Sequence, residues 1–335
     1  MRPTQFYRWL YENQRRMLEC NCSGVEQWKA WRIALRRKLI QLLGADLPMA
    51  SDPPTFEEES DEGTYIRHKI TYKIDQHAEA HAYLLYPKKG NGAGVLALHG
   101  HGYGKNDLVG LDELGNPKKE RYSGYQGSFA LKLVERGLIV LVPDQAGFGE
   151  RREEEDIKRG PSNSSCWQLS TWAMLYGDTA AGVRTHDARR ALSVLQEIGA
   201  KKMGVIGISG GGTIALYLSA IDERVEATAI SGAFSTYRDS ILSLQHCIDN
   251  YIPGILNYAE QYDVASLIAP RQLFVENGVH DQVFPIEGFR KAVEKVRAVY
   301  ELLGFPENFV AHEFDGGHEI TDAPIDFVEK ALKVG

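Results

Sequence analysis

The apolar positions change their period along this chain, and the changes mark out its elements. Near the start, Trp28, Trp31, Leu35 and Leu39 recur at three- and four-residue steps. That spacing puts one apolar stripe on a helix, so residues 1–46 are read as helical. Residues 51–62 hold Pro53, Pro54 and six acidic residues with no basic one, the pattern of a solvated connector. Residues 65–74 and 80–86 then alternate apolar and polar, with Asp75-Gln76-His77 between them, which predicts an antiparallel hairpin. Beyond it the strands become short and continuously apolar, at 94–98, 138–142, 203–206, 225–230, 272–275 and 308–314. Helical runs at 129–136, 179–198, 213–220 and 285–303 lie between them. Such alternation predicts an α/β fold, a mostly parallel twisted sheet with helices on both faces, entered through the antiparallel hairpin. The chain divides into an N-terminal helical extension with its acidic connector, 1–62, and a main α/β domain, 63–335. Residues 103–126 and 235–262 fit no simple crossover. Both leave carboxyl ends of strands, where open α/β sheets bind ligands, and are candidate walls or lids.

Composition narrows this little. The chain has 335 residues, 43% hydrophobic and 25% charged, ordinary for a globular protein. Its net charge of -7 argues against general nucleic-acid binding. The first 44 residues carry nine Lys/Arg against three Asp/Glu, so the basic start could meet another subunit, and the apolar helices could form a homo-oligomer. No apolar run nears the roughly 20 residues that cross a bilayer, so no membrane partner is expected. The N-terminus is broken by Arg2, Arg8, Glu12, Arg15 and Arg16, unlike the apolar core of a signal peptide. With Cys20, Cys22, Cys166 and Cys247 in no disulfide or zinc spacing, the reading is a reduced, cytoplasmic protein.

The chemistry starts at Gly207-Ile208-Ser209-Gly210-Gly211, between the 203–206 strand and the 213–220 helix. G-x-S-x-G at a strand-to-helix turn describes a nucleophile elbow, a turn so tight that flanking side chains would collide. A dinucleotide fingerprint would need glycine where Ser209 stands, and a phosphate loop would need a Gly-Lys-Ser/Thr ending. No nucleotide cofactor is expected. A serine hydroxyl needs a base, and the base an orienting acid. His318, in Asp315-Gly316-Gly317-His318-Glu319 after the last strand, is the candidate base; His312, His246 and His280 are worse placed. Asp281, in the turn after the 272–275 strand, is the candidate acid, with Glu276 and Asp315 as alternatives. For the oxyanion hole the candidates are the N–H groups of Gly210 and of His101, the latter in His99-Gly100-His101-Gly102 after the 94–98 strand. His99 and His101 could instead ligate a metal, but no third ligand of suitable spacing lies nearby in sequence, and no metal is expected. Tyr103, Trp167, His246 and Tyr251 are candidate pocket residues. Asp144 of the Asp-x-x-Gly-x-Gly turn is read as holding its loop, and Arg184 with Asp187 as a structural ion pair.

HGHG at 99–102, DQAGFG at 144–149, GISGGG at 207–212, GVHDQVFP at 278–285 and GGHE at 316–319, in this order, resemble the α/β-hydrolase superfamily. Residues 179–187 and 246–254 are similar to its dienelactone-hydrolase and acetyl-xylan-esterase-like branch. The resemblance implies an α/β-hydrolase fold over about residues 64–334 and a Ser209–Asp281–His318 triad. Dienelactone hydrolases place a cysteine where this chain has Ser209. The expected activity is hydrolysis of small or short-acyl carboxylic esters, acetyl esters among them, through an acyl-enzyme and without a cofactor. A serine peptidase of the prolyl-oligopeptidase type and a non-catalytic ligand-binding homologue are the competing readings.

Overall fold

The computed structural model describes residues 2–45 and 47–333. Met1 and Asp46, inside the stretch expected to be helical, and Val334 and Gly335, inside the expected main α/β domain, lie outside the described residues. Among the described residues nine strands form one sheet: β1 (Thr55–Asp61), β2 (Tyr65–Lys73), β3 (Glu79–Pro87), β4 (Ala93–Leu98), β5 (Ile139–Pro143), β6 (Lys202–Ile208), β7 (Ala227–Ser231), β8 (Gln272–Gly278) and β9 (Phe309–Phe314). Their order across the sheet is β1-β2-β3-β5-β4-β6-β7-β8-β9. The pairs from β1 to β5 are antiparallel, and every pair from β5 to β9 is parallel.

The helices are α1 (Pro3–Asn13), α2 (Val25–Leu43), α3 (Phe129–Glu135), α4 (Glu154–Lys158), α5 (Cys166–Tyr176), α6 (Ala180–Glu197), α7 (Gly210–Ile221), α8 (Gln261–Ser266), α9 (Ile286–Leu303) and α10 (Ala323–Ala331). They cover both faces of the sheet. Strand pleating sends Leu96 and Leu98 to one face, with Leu192 and Leu216 of α6 and α7. Val95 and Ala97 go to the other, with Phe129 of α3 and Ile325 of α10. Among the described residues no helix is long and apolar enough to cross a membrane.

Two expectations need correcting. The acidic connector is partly a strand: residues 55–61 pair with β2 as an edge strand. Its side chains are almost all exposed. No buried face imposed an alternating pattern, and charge on an exposed edge discourages pairing with another chain, so the strand read as a linker. The described part of the expected helical stretch, residues 2–45, holds two helices, separated at residues 14–24, where Gly24 precedes α2. The stripe of α2 is used inside the protein: Trp28, Leu35, Leu39 and Leu43 are buried with residues of α6, α7 and α8. The aromatic residues of α1, Phe6, Tyr7 and Trp9, stay exposed.

The sheet places the site. The chain leaves β4 for β5 on one side and later enters β6 on the other, so the strand order reverses between β4 and β6. In open α/β sheets such a switch point opens a crevice at the carboxyl ends of the strands. Leu98 pairs with Gly207, and Ile208 and Glu276 both pair with Ser231. The residues that follow β4, β6, β7 and β8 therefore emerge along one edge.

Candidate active site

At the end of β6 the chain turns in one residue into α7. Ser209 makes that turn with φ 54° and ψ -126°, a conformation costly for a residue with a side chain. Backbone bonds hold it there: Ser209 N–H donates to Ser231 O (2.9 Å), and Thr213 N–H donates to Ser209 O (3.0 Å). The flanking glycines are sterically required. A methyl at Gly207 would stand 2.3 Å from Gly211 O, and one at Gly211 would stand 2.1 Å from Leu98 O. The Ser209 side chain sits at the amino end of α7, the positive end of the helix dipole. Gly210, as the first residue of α7, has an N–H without an intrahelical partner.

Asp281 and His318 meet beside the elbow. His318 Nδ1–H donates to Asp281 Oδ2 at 2.8 Å. The other carboxylate oxygen, Oδ1, accepts from the N–H groups of Val283 (2.7 Å) and Phe284 (3.0 Å), so the acid is fixed by its own loop. The imidazole stacks on Tyr125, 5.5 Å between centroids, and on Phe284, 6.0 Å. Gly232, with φ 53°, leaves room for it: a methyl there would lie 3.2 Å from His318 Nδ1. With the proton on Nδ1, Nε2 is the free acceptor. Ser209, Gly210 and His318 line one cleft of about 340 Å³, with His101, Phe284 and residues 244–247. No hydrogen bond joins the Ser209 hydroxyl to His318 in this structure; such contacts often tighten only when substrate binds.

The alternative acids are engaged elsewhere. Glu276 is fully buried and accepts from Ser231 Oγ (2.8 Å), Thr321 N–H (3.0 Å) and Thr321 Oγ1 (2.6 Å), with His312 Nδ1 at 3.2 Å. It ties the loop that carries His318 to the sheet. Asp315 pairs with His280 at 2.8 Å in solvent.

The turn after β4 is held from both sides. Gly100 N–H donates to Gln126 Oε1 (2.7 Å), and Tyr125 Oη–H donates to His101 O (2.5 Å). Both contacts, one accepting and one donating, come from the end of the 103–126 segment, which thus braces the turn. His99 is fully buried; Nδ1–H donates to Gly100 O (2.7 Å), and Nε2 accepts from Gln145 N–H (3.1 Å). Burial lowers its pKa, in keeping with a neutral ring. The His101 ring has different neighbours: Asp249 Oδ2 at 3.3 Å, Cys166 Sγ at 3.7 Å and the edge of Phe148 at 5.0 Å between centroids. Burial would lower the His101 pKa, but hydrogen bonds to Asp249 and Cys166 outweigh it and push it up to about 9.

No sequence signal joined Cys166, Arg184 and Asp249, yet they meet beneath His101. Arg184 is buried; Nη1 donates to Asp249 Oδ2 (2.6 Å), Nη2 to Cys166 Sγ (3.3 Å), and Nε to Ala146 O (2.9 Å). The expected Arg184–Asp187 pair is therefore replaced by two others, since Asp187 accepts from Arg151 (2.5 Å). Helical spacing allowed the first pairing, but Arg184 and Asp187 leave α6 toward different neighbours. Asp144 receives Lys105 N–H (2.7 Å), Lys105 Nζ (2.6 Å) and Glu150 N–H (3.0 Å), which fastens the loop after β5.

No family model matches the chain. It is 30% identical over 323 residues to "Putative hydrolase YtaP" of Bacillus subtilis, an alignment covering 90% of this chain and 100% of that protein. The chain belongs to the α/β-hydrolase superfamily. Solved structures of this fold include a "putative acetyl xylan esterase" from Bacteroides fragilis, with TM-score 0.80, 17% identity, and coverage of 94% of this chain and 82% of that one. A glucuronoyl esterase from Solibacter usitatus has TM-score 0.65 and 16% identity, with coverage of 91% of this chain and 93% of that one. At these identities the likeness is one of fold.

In this α/β-hydrolase the four pocket candidates scatter. His246 lines the cleft, its ring edge against Phe284. The other three do not. Tyr103 N–H is drawn to Asp107 Oδ2 (2.7 Å), which turns the chain away, and Tyr103 lines a separate cavity with Lys69, Tyr83 and Glu150. Trp167 follows the inward-facing Cys166 on α5, about 100° round the helix, and is 66% exposed. Tyr251 sits beside Asn250, which faces the cleft, and lines instead a pocket under α1 with Tyr7 and Tyr11.

Proposed function

We propose that this protein is a serine carboxylic-ester hydrolase for small or short-acyl esters. One observation carries the reading: Ser209 stands strained at the elbow, in one cleft with a His318 whose Nδ1–H donates a hydrogen bond to the Asp281 carboxylate. Asp281 fixes the tautomer, so Nε2 of His318 takes the Ser209 proton as the hydroxyl attacks the ester carbonyl. The carbonyl oxygen becomes an oxyanion, and the free N–H groups of Gly210 and His101 receive it. His318 then protonates the leaving alcohol, and an acyl-enzyme remains on Ser209. Water, deprotonated by His318, releases the acid and restores the serine.

The stacking of His318 on Tyr125 and Phe284 supports this reading, because packed ring faces resist tilting of the imidazole away from the Asp281 hydrogen bond. The named structural neighbours, an acetyl xylan esterase and a glucuronoyl esterase, both point to esters as the substrate class. A cleft of about 340 Å³ suits a short acyl group rather than a long chain. The test is turnover of p-nitrophenyl acetate. Ser209→Ala should lower kcat by roughly 10⁴-fold or more with folding unchanged. A fluorophosphonate should label wild type at Ser209 and leave the variant unlabelled. Turnover in Ser209→Ala equal to wild type would overturn the proposal.

A further inference from the structure

We propose that His101, Cys166, Cys247 and Asp249 ligate a divalent transition-metal ion, with zinc the favoured occupant, and that this ion fastens together three separate stretches of the cleft wall. The four come from the turn after β4, the first turn of α5 and the 235–262 segment. One ligand atom from each lies within 4.8 Å of all the others. His101 Nε2 lies 3.7 Å from Cys166 Sγ and 3.3 Å from Asp249 Oδ2, and Cys166 Sγ lies 3.1 Å from Asp249 Oδ2. Tetrahedral zinc, with bonds of about 2.3 Å to sulfur and about 2.0–2.1 Å to nitrogen and oxygen, sets its ligand atoms roughly 3.3–3.8 Å apart. Those three distances are already close to the edges of a coordination shell: the Cys166–Asp249 edge has to open by about half an ångström, and Cys247, within 4.8 Å of the other three ligand atoms, has to close by at most about one ångström.

The donor set chooses the ion. Two thiolates with an imidazole and a carboxylate suit zinc; magnesium and calcium require a shell of oxygens. Charge agrees with this. The ion and Arg184 together balance two thiolates and Asp249, leaving a neutral buried site. Arg184 also orients the ligands, since it bonds both Asp249 Oδ2 (2.6 Å) and Cys166 Sγ (3.3 Å). Asn250 Nδ2–H holds the other Asp249 oxygen, Oδ1, at 2.9 Å. Such outer contacts are what metal ligands ordinarily carry. His101 and Cys247 line the cleft, which gives the ion a way in. The sequence hid this site because the partners of His101 lie 65 and more residues away. With all four positions taken by protein, the ion is structural: it holds the stretch of cleft wall that carries His101 and Cys247 and leaves the chemistry at Ser209 to the serine and histidine.

The competing account is a hydrogen-bonded cluster with no ion, and metal content separates the two. Protein made without a polyhistidine tag and exchanged into metal-free buffer should carry about one zinc per chain by plasma mass spectrometry. The C166S/C247S double variant should carry less than a tenth of that. Because that variant could fold poorly, a second measurement uses wild type alone. Chelator-stripped wild type titrated with cobalt(II) should develop a thiolate-to-cobalt charge-transfer band in the near ultraviolet, complete at one equivalent and discharged by zinc. Wild type that holds no zinc above the double variant and gives no such band with cobalt would overturn the proposal.

Discussion

Two sides of one cleft are built by different means. On one side Ser209, Asp281 and His318 are each set by their own loop: a glycine-flanked turn, a carboxylate bonded to N–H groups two and three residues on, and a histidine after two glycines. On the other side His101, Cys166, Arg184 and Asp249 come from four stretches and are fixed mainly by one another. A side that depends on local backbone geometry leaves a motif in the sequence. A side that depends on mutual contact leaves only scattered polar residues. The first should fail in rate when altered, and the second in stability.

The largest expected effect is on the local side. Asp281→Asn should leave the fold intact but favour the wrong His318 tautomer, lowering kcat for p-nitrophenyl acetate by about 10³–10⁴-fold. Equal loss of thermal stability would show that Asp281 is structural and would erase the contrast. Next comes the buried arginine. Arg184→Met removes the partner of a buried carboxylate, and urea unfolding should show a loss of about 3–5 kcal/mol. Its kcat at a temperature where it is folded should fall far less than that of Asp281→Asn. Glu276→Gln lies between the two sides, because Glu276 braces the His318 loop through Thr321. A loss of about 1–3 kcal/mol is expected, with a rate loss that tracks loosening of His318. The smallest effect is Tyr125→Phe, which deletes the hydroxyl bond to His101 O while keeping the ring under His318. It should cost about 1 kcal/mol, read as a lower urea midpoint, with less than a tenfold fall in kcat.

The same division explains how much was legible beforehand. The short apolar runs at 94–98, 203–206 and 272–275 became β4, β6 and β8 with shifts of a few residues, because a strand covered on both faces must be apolar throughout. β1 was missed because its side chains face solvent and carry no alternation. α5 was missed for a related reason: Trp167, Trp172, Leu175 and Tyr176 are exposed, so its apolar residues follow no single buried stripe. His246 was placed on the cleft, whereas Tyr103, Trp167 and Tyr251 were not, since side-chain direction in an irregular segment depends on bonds made to distant loops.

The sequence by itself determined the α/β order of elements, the elbow at Ser209, and the order of Ser209, Asp281 and His318 along the chain. Each rests on forces that act within a few residues: steric exclusion around Gly207 and Gly211, or burial of a run on both faces. Only the tertiary structure decided which acid meets His318, which carboxylate Arg184 pairs with, and what surrounds His101. Those are choices among groups far apart in the chain, made by whichever buried charges and polar atoms the sheet brings within hydrogen-bond reach.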